Sequence, residues 1–72
     1  MTQEEQILEY MERNGSITPL EAMNEFGIMR LGARIYDLKE SGVKIITETV
    51  TSRNRAGKRV RFARYRLERD NA

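Results

Sequence analysis

Over the first forty positions the apolar residues recur at helical spacing, and from Val43 onward they follow the shorter period of strands. Ile7, Leu8 and Met11 form one stripe and predict a helix from Gln3 to about Asn14. Thr2 is placed as its N-cap, with Glu5 three residues later completing a capping box, and Gly15 follows as a stop. Ser16 and Ile17 are too few for an independent strand and are expected to add one short strand to a later sheet. Thr18-Pro19-Leu20-Glu21 is a second capping box with proline at the first helical position. Leu20, Met23 and Phe26, with the small Ala22 beside them, are expected to form the buried face of this second helix, which Gly27 ends.

A third helix is expected over Met29 to Ser41, with Gly42 as its C-cap. Leu31, Ile35 and Leu38 lie within about 60° of one another on the helical wheel and form its core stripe. Ala33, Tyr36, Asp37 and Glu40 fall on the outer side, with Arg30 and Arg34 on one flank. Val43 to Thr51 is β-branched and half polar, so it reads as a strand. Ser52 to Gly57 is a turn-rich tip and Lys58 to Leu67 the return strand. The apolar phase of the return strand slips, from Val60 and Phe62 to Ala63, Tyr65 and Leu67, which predicts a bulge or strong twist near Phe62–Ala63. Phe62 and Tyr65 read as packing residues, and residues 68–72 as a fraying tail.

Charge sharpens this picture. Residues 1–29 hold six acids and one base, Arg13, for a net −5; residues 30–72 hold twelve bases and five acids, for a net +7. The formal total of +2 therefore conceals a dipole. Eight of the thirteen Lys and Arg residues fall between Arg53 and Arg69, with Glu68 the only acid among them. Such a basic hairpin is suited to a polyanion, and duplex DNA is the first candidate.

Composition narrows the chemistry further. Seventy-two residues make one domain, and a chain this small buries only about 60% of its unfolded surface, leaving little room for an enclosed substrate pocket. There is no cysteine and no histidine, which removes disulfides, thiolate sites, the commonest zinc ligand and the commonest general base. No apolar run approaches the roughly 18 residues of a membrane span, and the acidic start MTQEEQ is unlike a signal peptide. The expectation is a non-enzymatic protein of the bacterial host cytoplasm, without cofactor, metal, membrane or small-molecule substrate.

The order helix, short strand, helix, helix, strand, wing, strand is that of an α+β winged helix-turn-helix, in which the second helix of the motif enters the major groove. Here that helix spans 29–41. Arg30 and Arg34 are placed to donate two hydrogen bonds to a guanine, and Ala33 to touch a thymine methyl. Tyr36 is a candidate for a phosphate or base, and Asp37 for a cytosine or for orienting Arg34. Lys39 and Lys44 are candidate phosphate contacts, as are Arg53, Arg55, Lys58, Arg59 and Arg61 around the wing at 51–60. The wing can instead insert an arginine into a narrow minor groove.

The run Ile17-Thr18-Pro19-Leu20-Glu21-Ala22, followed by Gly27 to Leu38, resembles the small phage-type winged helix-turn-helix proteins of phages, prophages and gut bacteria. The resemblance continues through Arg53 to Lys58 and Ala63 to Leu67, covering about residues 3 to 67. It implies DNA binding in transcriptional regulation or phage recombination. It carries over no catalytic residue and no base contact.

Each feature also has a plainer account. Arg30 and Arg34 can be a solvated flank paired with Asp37 or Glu40, and the wing charges can serve to keep an edge strand from aggregating. A second function is a protein-binding module that blocks a host nucleic-acid enzyme, with Glu4, Glu5, Glu9 and Glu12 of the first helix mimicking phosphate. One small domain reads few base pairs, so a homodimer or a partner protein on the DNA is expected.

Overall fold

The computed structural model describes residues 1–68. Its elements follow the order α1 (Gln3–Asn14), β1 (Ser16–Ile17), α2 (Pro19–Phe26), α3 (Leu31–Glu40), β2 (Ile45–Arg53) and β3 (Arg59–Leu67). Both capping boxes form as the sequence indicates. Thr2 Oγ1 accepts from Glu5 N at 3.1 Å, and Thr18 Oγ1 accepts from Glu21 N at 3.2 Å. Gly27 closes α2 in the left-handed region at φ 67°, which a residue with a side chain adopts only under strain. It turns the chain toward α3, and Ile28 drops into the core behind it.

That turn shortens α3. The helix was expected to begin at Met29, but Met29 and Arg30 belong to the turn, because burying Ile28 holds them out of helical geometry. Arg30 is the N-cap, at φ −122° and ψ 63°, and Ala33 N donates to its carbonyl at 3.2 Å. At the other end Ser41, not Gly42, is the C-cap, and its hydroxyl donates to Leu38 O at 3.0 Å.

The core joins Ile7 and Met11 of α1, Ile17 of β1, Ala22 of α2, Ile28, and Leu31, Ile35 and Leu38 of α3. Each fully buried aliphatic side chain contributes about 1.5–3 kcal/mol. The stripe on α3 is as expected; that on α2 is not. Leu20 is 67% exposed and Met23 46% exposed. Residues at i, i+3 and i+6 drift by about 60° per step on a helix, so Leu20 and Phe26 stand about 120° apart and cannot both face one core. The core takes the Ala22 and Phe26 side, where the Phe26 ring meets the edge of Tyr10 at 5.8 Å and 87°.

The sheet has the order β1-β3-β2, antiparallel throughout. β2 and β3 pair without interruption from Ile45↔Leu67 to Arg53↔Arg59, so of the bulge or strong twist expected near Phe62–Ala63 the bulge is absent. The phase slip has another cause. At the base of the hairpin the odd-numbered Ile45, Tyr65 and Leu67 pack on the core, whereas toward the tip the apolar residues Val50, Val60 and Phe62 lie on the opposite face. β2 starts at Ile45, not Val43, because Val43 N is bonded to Leu38 O at 3.0 Å and belongs to the exit from α3. It runs to Arg53, two residues beyond the expected Thr51, and β3 starts at Arg59, one residue beyond the expected Lys58. Asn54 organises the tip: its Oδ1 accepts from Ala56 N and Lys58 N, each at 3.0 Å. At the end of β3, Glu68 N donates to Lys44 O at 3.0 Å, so the expected tail starts with a bonded residue. Its last four residues, 69–72, lie outside the described residues.

Candidate nucleic-acid interface

With Leu31, Ile35 and Leu38 inward, α3 presents Ala33, Tyr36, Asp37 and Glu40 to the outside. Tyr36 is 63% exposed, and its hydroxyl donates to Glu40 Oε1 at 3.1 Å. Arg30 is exposed at the helix entrance and forms no ion pair among the described residues. Arg34 is paired, in part as the plainer account of this flank has it. Its Nη1 lies 3.3 Å from Glu4 Oε1 of α1 and its Nη2 3.3 Å from Asp37 Oδ2. Asp37 thus orients Arg34, one of the two roles its position suggests, while the link to α1 carries no local sequence signal. Lys39 and Lys44 are exposed at the far end of α3 and just before β2.

The hairpin register sorts the wing cations by face. Tyr65 lies on the core side of β3, and a Cβ added to Gly32 of α3 would sit 3.8 Å from its hydroxyl. Side chains alternate along a strand, so Arg53, Arg59 and Arg61 share the face of Tyr65. Thr47, Thr49 and Thr51 line that face on β2 and are exposed. Sequence reading did not single out these threonines, although the alternation of β2 was the signal for them. Arg53 stands directly opposite Arg59, a like-charge pairing that destabilises a bare sheet and that an anion would relieve. Arg53 Nη1 donates to Gly57 O at 3.0 Å, which holds it near the tip with the exposed Arg55 and Lys58.

Arg64 and Arg66 lie on the other face, and Glu48 holds both. Arg64 Nη2 is 2.9 Å from Glu48 Oε2, and Arg66 Nε donates to Glu48 Oε1. These two hydrogen bonds, the one from Arg64 foremost, keep the Glu48 carboxyl below the usual carboxylate range. None of Arg53, Arg55, Lys58, Arg59 and Arg61 has an ion-pair partner among the described residues. The cations of the basic segment thus divide into a neutralised group on one face and an uncompensated group at the tip and on the other.

The α1 acids are largely occupied. Glu4 meets Arg34, Glu5 closes the capping box on Thr2, and Glu9 lies 3.5 Å from Arg13. The hydrogen bond from the Thr2 backbone lowers the Glu5 carboxyl below its ordinary range. Glu21 is doubly engaged, accepting from Thr18 N at 2.9 Å and from the Tyr10 hydroxyl at 3.3 Å. Desolvation, and then the charge of Glu21, push the Tyr10 hydroxyl above its usual value. No helix is long and apolar enough to cross a membrane among the described residues.

A three-helix unit with a short β1 and a basic β2–β3 wing is the architecture of a DNA-binding fold. The chain belongs to the winged helix-turn-helix domain family, whose model matches residues 2–70. A comparison with curated proteins finds no match.

Proposed function

We propose that this protein binds duplex DNA sequence-specifically, as a phage- or prophage-type transcriptional regulator or recombination accessory factor. α3 lies in the major groove, with Arg30, Ala33, Arg34, Tyr36 and Asp37 toward base edges and Lys39 and Lys44 on phosphates. The wing lies on the backbone or in the minor groove through Arg53, Arg55, Lys58, Arg59 and Arg61. The observation that carries this reading is the uncompensated group of cations on the wing, three of which share the face of the hairpin that packs toward α3. A polyanion supplies the countercharge that the fold withholds from that face and grants to the other. One domain covers few base pairs, so two copies, or one copy with a partner protein, occupy the full site.

The test is selection of bound fragments from randomised duplex DNA at about 150 mM salt, where non-specific phosphate binding is weakened. A reproducible motif supports the reading, and its symmetry gives the number of copies engaged. An unenriched pool would remove sequence specificity and leave at most a non-specific basic wing.

A further inference from the structure

Beyond Ile45, the odd-numbered positions of β2 are Thr47, Thr49 and Thr51, and Arg53 follows them. Odd and even positions take opposite faces, so the three threonines share the face of Arg53, Arg59 and Arg61. All six residues are exposed. Between residues 45 and 67 that face carries no carboxylate, because the one acid of the hairpin, Glu48, lies on the other face and is held by Arg64 and Arg66. None of the three hydroxyls makes a hydrogen bond among the described residues. The register sets each beside a different neighbour. Thr51 stands directly opposite Arg61, and opposed residues lie only about 4.5–5.5 Å apart, so hydroxyl and guanidinium can converge on one group. Thr49 stands opposite Ala63, whose methyl group leaves the hydroxyl uncovered. Thr47 stands opposite Tyr65, the residue that meets the entrance of α3 beside Gly32.

We propose that Thr47, Thr49 and Thr51 form a hydroxyl rail that donates hydrogen bonds to successive phosphates of one DNA strand. The inference rests on the duplex binding proposed above and adds neutral donors to its cations. Chemistry selects the ligand: a phosphate oxygen accepts from hydroxyl and guanidinium alike, and no acid on that face repels it. Spacing agrees. Alternate residues of a strand lie about 6.8 Å apart, close to the separation of successive phosphates along a backbone. Thr51 with Arg61 can therefore hold one phosphate, Arg53 with Arg59 the next, and Thr49 the one before. The rail runs from the entrance of α3 toward the tip, so it fixes how the helix is registered in the groove while reading no base itself. A high strand propensity explains β-branched residues in β2, but it does not call for a hydroxyl, which valine does without.

The experiment measures duplex affinity against salt by fluorescence anisotropy for Thr47→Val, Thr49→Val, Thr51→Val and Thr49→Ser. Valine keeps the shape and the β-branch and exchanges only the hydroxyl for a methyl group, so at these exposed positions the fold is expected to persist, which a thermal melt verifies. The expected result is a loss of about three- to tenfold in each valine variant, alike on the preferred and on a random duplex, and rescued in Thr49→Ser. A hydroxyl is neutral and releases no counterion, so the logarithmic salt slope stays that of the wild type, unlike the slope of Arg61→Ala. Unchanged affinity in the valine variants would overturn the proposal and leave the wing's cations without the rail. A loss confined to the preferred duplex would also overturn it, by assigning the hydroxyls to base edges. So would a flattened slope, which makes the threonines supports of the arginines. A wild type that binds no duplex would remove the proposed function itself, and the rail with it.

Discussion

Arg34 of α3 reaches back to Glu4 in the first turn of α1, with 3.3 Å between Nη1 and Oε1. Its other nitrogen is 3.3 Å from Asp37, so two carboxylates hold the arginine proposed to face the bases. Such partly exposed pairs contribute about 0–1 kcal/mol each, whereas a bidentate arginine–guanine contact discriminates by about 1–3 kcal/mol. The magnitudes favour the base: DNA can draw Arg34 away from Glu4, and Asp37 can stay as its support.

Two substitutions separate these roles. Arg34→Ala should cost about 1–3 kcal/mol on the preferred site and little on random duplex, measured by fluorescence anisotropy. Equal losses on both would demote Arg34 to a phosphate contact. Glu4→Gln removes the competitor and should tighten the preferred site by up to about fivefold. Weaker binding on that site would show that Arg34 stays with α1 in the complex and acts as a strut between the helices.

The two faces of the wing give a sharper contrast. Arg59→Ala and Arg61→Ala, like Lys58→Ala at the tip, should each weaken all duplexes alike and flatten the logarithmic salt dependence by about one unit. Arg64→Ala and Arg66→Ala should leave that slope unchanged, since both side chains lie on the other face and are held by Glu48. Equal slopes for all five variants would mean that the register does not sort the wing by face.

Much of this was legible in the chain. The caps at Thr2, Thr18 and Gly27 are local, because each is satisfied within a few residues, and so were the three positions of the α3 stripe. What escaped depends on distant parts of the chain meeting. The Arg34–Glu4 pair joins residues thirty apart in sequence, and nothing in either segment announces it. The exposure of Leu20 follows from α2 packing through Ala22 and Phe26, which depends on where α1, α3 and β3 lie. The phase slip in β3 was visible and was read as a bulge or strong twist. The continuous register with β2 removes the bulge, and the slip marks a change in which face is apolar.

Acid should weaken the hairpin. The Glu48 carboxyl is held below its ordinary value in the folded chain by Arg64 and then Arg66, so its contribution is fully present above the unfolded carboxylate range. That contribution is lost as pH falls through the depressed folded value. Glu5 has the same sign, through Thr2. Thermal melts from neutral pH down to about pH 3 should show the midpoint falling below about pH 4.3, the ordinary carboxylate value. Glu48→Gln should start lower at neutral pH and fall less. Parallel curves would show that the Glu48 ion pairs do not contribute to stability.

Gly32 offers a test in which stability and binding move in opposite directions. It is the second residue of α3, exposed, with no positive φ, and an added Cβ would meet only the Tyr65 hydroxyl, at an ordinary 3.8 Å. Nothing in the fold therefore requires glycine there. Gly32→Ala should raise stability by about 0.4–1 kcal/mol by restricting the unfolded chain, as read from chemical denaturation. A glycine that the fold does not need suits a backbone that comes close to a ligand. A methyl group on the entrance of α3 holds the helix away from the groove wall, so affinity for the preferred duplex should fall as stability rises. If both rise together, the first turn of α3 stands clear of the DNA, and the base contacts belong further along the helix, at Tyr36 and Asp37.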